Sequence, residues 1–290
     1  MDLVSIKHVL YGKDVDKIDK IGDNIAIYNG DCLDVMKKFP DGYIDLTVTS
    51  PPYDNLRTYN GNIDQWTFEK FQEIAKELFR VTADGGVVVW VVGDATIKGS
   101  ETGSSFRQAL HFMDCGFNLH DTMIYKKNGT GACGSNKCYW QAFEYMFVFS
   151  KGKISTVNRL TNGKPRTKGG KKSGRFTKDG VQKIDIRSPA DGKEQIRDNV
   201  WIYNVGWASG DDNVKHPAKF PESLAQDHIL SWSNPGDLVF DPFMGSGTTG
   251  KMAAIELRKF IGSEIDKTYY ELAKKRLIDT TLVQQTVMAV

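Results

Sequence analysis

Apolar and polar positions along the chain fall into blocks that predict strands and helices in turn. Asn24 to Tyr28 reads as a strand, ended by Asn29-Gly30-Asp31. Cys32 to Lys38 reads as a short helix with Leu33 and Met36 turned inward. Ile44-Asp45-Leu46-Thr47-Val48 is a second apolar run of strand length. From Phe68 to Val81 the apolar residues fall at 68, 71, 74, 75, 78 and 79, a helical period. Ala83-Asp84-Gly85-Gly86 is expected to close that helix. Val87 to Val92 is almost wholly apolar, as in a parallel strand covered on both faces. Ser105 to Cys115 predicts a helix stopped by Gly116. Thr122 to Lys126 and Ala142 to Phe149 predict two strands joined by a glycine-rich loop at 129–134.

The pattern then breaks. Residues 151–197 show little periodicity and are rich in Lys, Arg, Gly and Ser. Trp201-Ile202-Tyr203 is apolar again. A helix is expected from about Ser223 to Trp232, and a strand at Leu238-Val239-Phe240. A glycine-rich turn covers Asp241 to Thr249, followed by a helix over Gly250 to Glu256. Lys259 to Ile265 reads as a strand, and Lys267 to Ile278 as a final amphipathic helix. Residues 1–23 read as a polar lead-in, and no internal repeat is visible. Strand and helix alternate on both sides of the break, which predicts an α/β fold with a parallel sheet. The expected organisation is one domain split by an insert: 1–150, then the insert at 151–206, then 207–290.

Composition changes this picture in one place. The 290 residues are 40% hydrophobic and 26% charged, enough for a full core. No apolar run approaches the length of a membrane span, and the N-terminus lacks the pattern of a secretion signal. Four cysteines argue against a disulfide framework. Cys133 and Cys138 lack a second pair or a suitably placed His, so no metal site is expected. Thiols of this kind fit a reducing cytoplasm. The net charge is only +2, but residues 151–197 carry 14 Lys and Arg against 4 Asp and Glu. The remaining residues are therefore net negative, and the basic segment is the place to expect polyanion contacts.

Two turns carry the candidate chemistry. The first is Thr49-Ser50-Pro51-Pro52-Tyr53. Neither proline has an N–H to give to a ladder, and Pro51 holds Ser50 extended. The result is a stiff turn at a strand's carboxyl end, where open α/β sheets bind ligands. It presents a hydroxyl, fixed carbonyls and an aromatic ring, although an ordinary turn leaving a strand has the same proline content. The second is Gly245-Ser246-Gly247-Thr248-Thr249-Gly250, with the glycine spacing of a nucleotide-binding turn between a strand and a helix. Glu264 ends the next strand, where an acid accepts hydrogen bonds from ribose hydroxyls. A tight turn and a surface carboxylate are the plainer reading. Only about 40 residues follow Gly250, too few to complete a nucleotide-binding sheet. The N-terminal strands must complete it, which predicts both turns on one sheet edge, facing one cleft.

Ser50-Pro51-Pro52-Tyr53 together with Asp241-Pro242-Phe243-Met244-Gly245-Ser246-Gly247-Thr248-Thr249 resembles the amino-group DNA methyltransferases that use S-adenosylmethionine. The catalytic motif precedes the cofactor motif, as in the circularly permuted beta class. The resemblance implies a Rossmann-like methyltransferase sheet, with the insert as its target-recognition region. By position, Phe243, Gly245 and Gly247 line the methionine part of the cofactor, and Thr248 caps the following helix. Glu264 binds the ribose and Asp31 lies near the adenine. His216 to Pro221, with Lys219 and Phe220, closes over the cofactor; a solvated surface lysine is the alternative for Lys219. Ser50 Oγ and the Pro51 carbonyl draw the amine nitrogen toward tetrahedral geometry, and Tyr53 stacks on a base flipped out of the duplex. Asp54 is a weak candidate base. Lys168, Lys171, Lys172 and Arg175 suit phosphate contacts on double-stranded DNA; a solvated basic loop has the same composition. Tyr139 and Trp140 can stack on a base or pack in a core. The implied setting is a cytoplasmic enzyme of bacterial, archaeal or phage origin. A homodimer and a cognate restriction endonuclease are partners the sequence leaves open.

Within that family, Ser at the first position of the motif leans toward N4 of cytosine, and Asp there toward N6 of adenine. Cytosine is therefore expected and adenine is the alternative. Two other readings compete. A NAD-dependent dehydrogenase would use the same glycine turn but explains neither Ser50-Pro51-Pro52-Tyr53 nor the basic insert. A nucleic-acid-binding protein with a decayed site is at odds with two intact motifs.

Overall fold

The computed structural model describes residues 18–52, 66–128, 139–165, 173–176, 182–185, 193–204 and 221–288. Its elements in chain order are β1 (Ile18–Ile21), β2 (Ile25–Asn29), α1 (Cys32–Met36), β3 (Ile44–Thr49), α2 (Phe68–Val81) and β4 (Thr82–Val92). A small hairpin follows, β5 (Thr96–Ile97) and β6 (Ser100–Glu101), then α3 (Ser104–Asp114), β7 (Asn118–Asn128) and β8 (Phe143–Ser150). Four short strands come next: β9 (Thr161–Pro165), β10 (Ser173–Phe176), β11 (Gln182–Asp185) and β12 (Glu194–Ile196). The chain continues with β13 (Val200–Asn204), α4 (Glu222–Trp232), β14 (Leu238–Asp241), α5 (Thr248–Ile255), β15 (Lys259–Glu264) and α6 (Lys267–Met288).

Nine strands form one sheet in the order β1-β2-β15-β14-β3-β4-β8-β7-β13. The strands β2, β15, β14, β3 and β4 run parallel to one another. The sheet is not parallel throughout. Strand β8 runs antiparallel to both β4 and β7, and β1 antiparallel to β2. The apolar run in β4 thus has a parallel neighbour on one side and an antiparallel one on the other. Its side chains are buried because both faces are covered, and burial does not depend on the neighbour's direction.

Helix α2 illustrates how the layers form. Phe71, Ile74, Ala75, Leu78 and Val81 lie on one stripe and are fully buried. Thr67 caps the helix by accepting from the Lys70 amide at 3.2 Å, a contribution of about 1 kcal/mol. Each buried apolar side chain adds about 1.5–3 kcal/mol. The stripe packs on Val88, Trp90, Val92 and Phe240 of the sheet, together with Phe112 of α3 and Leu33 of α1. Helices α4, α5 and α6 contact β3, β14, β15 and β2, whose other-facing residues Ile25, Ile27, Val48 and Val239 are equally buried.

Four local expectations are corrected. The lead-in ends in a strand, β1, held to α6 by Tyr270 Oη donating to Asp19 Oδ2 at 2.6 Å and by a Lys274–Asp19 ion pair at 2.8 Å. Ala83 to Gly86 lie inside β4, not in a turn. Thr82 already ends α2, its hydroxyl donating to the Leu78 carbonyl at 2.6 Å. Gly85 has φ +82°, and a Cβ there would lie 1.9 Å from Ser155 Oγ, so this glycine serves close packing within the strand. The final helix runs to Met288, ten residues past Ile278.

The fourth correction concerns the basic stretch. Residues 159–198 form a separate compact unit, and the rest of the chain forms the other. Within the smaller unit β9 pairs with β12 and β10 with β11, both antiparallel. Strand β13, after it, belongs to the nine-stranded sheet and runs parallel to β7.

Candidate active site

The parallel strands place their carboxyl ends along one edge. From β2 to β4 that edge carries Asp31, Glu264, the glycine turn and Ser50 in spatial order. The chain leaves β3 through α2 toward β4, and leaves β14 through α5 toward β15, on the other side. The boundary between β3 and β14 is therefore the sheet's switch point, where connections part to opposite sides and leave a crevice. Both turns singled out from the sequence border it.

Hydrogen bonds across the crevice and along one of its walls hold it in shape. Thr49 Oγ1 donates to Asp241 Oδ1 at 2.7 Å, and Asp241 Oδ1 also accepts from the Phe243 amide at 3.0 Å. Thr249 Oγ1, in the first turn of α5, donates to the Val48 carbonyl at 3.2 Å. Ser263 Oγ donates to the Pro242 carbonyl at 2.8 Å. Phe243 is half-buried, with Trp66 edge-on at 5.5 Å and Trp90 at 6.2 Å. Ser50 follows Thr49 directly and is partly exposed, with Pro51 buried and Pro52 half-buried.

The glycine turn needs its glycines. Gly245 and Gly247 have φ of +50° and +81°, values that cost an L-residue energy. A Cβ on Gly247 would lie 3.1 Å from Ala273 Cβ. Gly247, not Thr248, occupies the cap position of α5, so the expectation that Thr248 caps the helix is corrected. The backbone must turn left-handed there, which suits glycine, and Thr248 becomes the first helical residue. Gly247 makes no side-chain cap, leaving the helix amides beside the turn for a ligand.

Two acids face this turn. Glu264 Oε2 accepts from the Gly245 amide at 2.9 Å, and Oε1 from the Asp266 amide at 2.8 Å. Each oxygen keeps a lone pair for a further donor. Burial pushes the Glu264 carboxyl up to about 7, against the two amides that favour its ionised form. Burial likewise raises Asp241 to about 6, opposed by the Thr49 hydroxyl and the Phe243 amide. Asp31 is committed locally. Its Oδ1 caps α1 through the Leu33 amide at 2.8 Å, and its Oδ2 pairs with Lys70 Nζ at 2.9 Å.

Several residues here carry no recognisable sequence signal. Arg276 of α6 donates to the Ser246 carbonyl at 2.6 Å and to Glu222 Oε1 at 2.8 Å. It thereby ties the glycine turn to the start of α4. Asp94, just past β4, accepts from the Ser105 amide at 2.9 Å and from Ser104 Oγ at 3.1 Å. It caps α3, whose own cap residue, Gly103, has no side chain. Tyr53, Asp54, Lys168, Lys171, Lys172, Lys219 and Phe220 lie outside the described residues, as does the side chain of Arg175. Tyr139 and Trp140 are exposed, so they do not pack in the core.

Comparison with known proteins agrees with this geometry. A family model described as DNA methylase matches residues 44–275. The orphan methyltransferase M.BamHII of Bacillus amyloliquefaciens is 57% identical over 243 residues, covering 82% of this chain and 89% of that protein. The DNA adenine methyltransferase YhdJ of Escherichia coli (strain K12) is 30% identical over 259 residues, covering 87% and 82%. Among solved structures, the cytosine-N4-specific PvuII DNA methyltransferase shares the fold with a TM-score of 0.66 at 24% identity, covering 92% of this chain and 90% of that one. With the family's span running from the serine-bearing strand through the glycine turn, this chain belongs to the family of amino-group DNA methylases.

Proposed function

We propose that this chain methylates the exocyclic amino group of a base flipped out of double-stranded DNA, at N4 of cytosine, in the crevice between β3 and β14. The observation that carries the reading is the juxtaposition of the two turns, joined by the 2.7 Å bond between Thr49 and Asp241. The methyl donor is S-adenosylmethionine, whose sulfonium supplies an electrophilic methyl when bound.

The residues present fit that cofactor. Glu264 offers carboxylate lone pairs for the ribose hydroxyls, and the glycines of the turn, having no Cβ, let the methionine part approach its backbone. Asp31 contributes through α1 and Lys70, which hold the end of β2 beside Glu264. On the other wall Ser50 Oγ and the Pro51 carbonyl accept the amine's hydrogens. The amine is a weak nucleophile because its lone pair is delocalised into the ring, and two fixed neutral acceptors favour the pyramidal nitrogen that attacks. Tyr53 stacks on the extruded base. Residues 159–198 supply the basic surface for the DNA backbone, with target recognition there. A cytoplasmic location fits this substrate.

The choice of cytosine rests on Ser50 at the first position of the motif. The relationship to YhdJ, by name an adenine enzyme, supports N6 of adenine as the second reading. The orphan status of M.BamHII supports a solitary enzyme over one paired with an endonuclease. Incubating DNA with cofactor labelled in its methyl group, digesting to nucleosides and weighing the labelled product decides the base. Label in N4-methylcytosine is expected. Label in N6-methyladenine would reverse the choice of base, and label in 5-methylcytosine would overturn the mechanism, because carbon methylation needs a covalent nucleophile.

A further inference from the structure

Glycines give the turn after β14 little side-chain packing of its own, so groups from other elements must set its shape. Gly245 and Gly247, both left-handed, flank Ser246, which is buried. A chain with this freedom keeps one conformation only where outside hydrogen bonds fix its peptide planes. Glu264 of β15 holds the Gly245 amide at 2.9 Å. Arg276 of α6 holds the next peptide. Its Nη1 donates to the Ser246 carbonyl at 2.6 Å and to Ser246 Oγ at 3.1 Å. The amide of that same peptide, on Gly247, donates to the Met244 carbonyl at 2.7 Å. In a trans peptide the carbonyl and the amide point in opposite directions, so Arg276 and Met244 grip this plane from its two ends. The plane leads directly into α5. The amides of Thr248, Thr249 and Gly250 precede the first bond of that helix, from Lys251 to the Gly247 carbonyl at 2.9 Å, and their direction follows from the plane.

Arg276 is itself held in place. Its side chain is only 11% exposed, and Nη2 donates to Glu222 Oε1 at the start of α4, at 2.8 Å. The same oxygen takes Lys251 Nζ of α5 at 2.5 Å. A guanidinium is a planar fork, so anchoring Nη2 on Glu222 aims Nη1 at Ser246. Three helices thus meet at one carboxylate, and the guanidinium carries their arrangement to a single peptide of the turn.

We propose that Arg276 is a positioning residue for the cofactor, acting through the Ser246–Gly247 peptide on the amides that receive the ligand's amino-acid end. This rests on the placing of the methionine part at the glycine turn, proposed above. The consequence is selective. The ribose falls to Glu264 on β15, so loss of Arg276 should weaken ligands that carry the amino-acid end and spare those that lack it.

Calorimetric titration of the full chain with two thioether analogues of the cofactor tests this. S-adenosylhomocysteine keeps the amino-acid end, and 5′-methylthioadenosine has the same nucleoside and sulfur without it. In Arg276→Met the affinity for the first should fall roughly tenfold, and that for the second should change by less than about twofold. Arg276→Lys keeps a cation beside Glu222, which protects the fold, but one ammonium does not reproduce the fork. It should show the same selective loss. Glu264→Gln should weaken both ligands. Equal losses for the two ligands in the Arg276 variants would mean a general loosening of the site and would overturn the proposal, as would unchanged affinities. If Glu264→Gln then weakens both ligands, the cofactor stays at this turn and only the role of Arg276 falls. If it too changes neither, the placing of the cofactor falls with it.

Discussion

Thr49 and Asp241 stand 192 residues apart in the chain and meet through a 2.7 Å hydrogen bond across the boundary of β3 and β14. Both side chains are buried. Thr49→Val keeps the shape and removes the donor. The cost is expected to be about 1–3 kcal/mol, because a buried carboxylate loses one of its donors and keeps the Phe243 amide. The Thr49 hydroxyl favours the ionised acid, so Asp241 in the variant should titrate above its wild-type value of about 6. Urea unfolding should accordingly show a larger deficit at pH 8, where the acid is ionised, than at pH 5. An equal deficit at both would mean that the hydroxyl contributes packing alone.

Glu264 gives the site a pH dependence. Its folded-state value is raised to about 7 from an ordinary 4.5. Its contribution to folding stability is therefore largest below the ordinary value and is lost as pH rises toward 7. Glu264→Gln removes this drift, so the variant should gain stability relative to wild type over that interval. Cofactor binding runs the other way, because ribose hydroxyls donate to the carboxylate. Affinity should fall about tenfold from pH 8 to pH 6 in the wild type, and be weaker but flat in Glu264→Gln. Calorimetric titration at the two pH values reads this directly, and a flat wild-type profile would assign the ribose to another group.

Ser50→Ala addresses the chemical step. The hydroxyl is proposed to act on the amine as it pyramidalises, so the loss should appear in the single-turnover rate, by about a hundredfold. Affinities for cofactor and DNA should stay close to wild type. A variant with the full single-turnover rate would remove Ser50 from the mechanism.

The basic segment is tested by salt. Neutralising Lys168, Lys171, Lys172 and Arg175 together should weaken DNA binding and flatten its dependence on salt. The logarithmic slope should change by about 0.9 for each DNA phosphate that is no longer neutralised. Cofactor affinity should not change. An unaltered slope would mean that these four side chains do not touch the backbone.

Much of this protein is determined by its sequence. The period and Thr67 cap of α2 lie within the helix and its flank, so local pattern sets its limits at Phe68 and Val81. Prolines and glycines act on their own backbone, which made both turns recognisable in isolation. The residues those turns carry, Ser50 at one and Gly245 to Thr248 with Glu264 at the other, were accessible for the same reason.

What only the tertiary structure decided depends on partners distant in the chain. An apolar run says that β4 is covered on both faces, but not that β8 runs against it. Strand β1 and the short strands of residues 159–198 have too few apolar positions to show a period, and pairing alone defines them. Gly85 and Gly86 read as a stop because glycine favours turns; crowding by Ser155 and Asp45 explains them instead. Asp94, Glu222 and Arg276 are ordinary charged residues until folding brings them to the Ser104–Ser105 turn and to Ser246. The crevice itself belongs to this second class. Ser50 and Asp241 share it because β3 and β14 are neighbours whose connections leave in opposite directions, and strand order is set by how whole layers pack, which no local stretch of chain encodes.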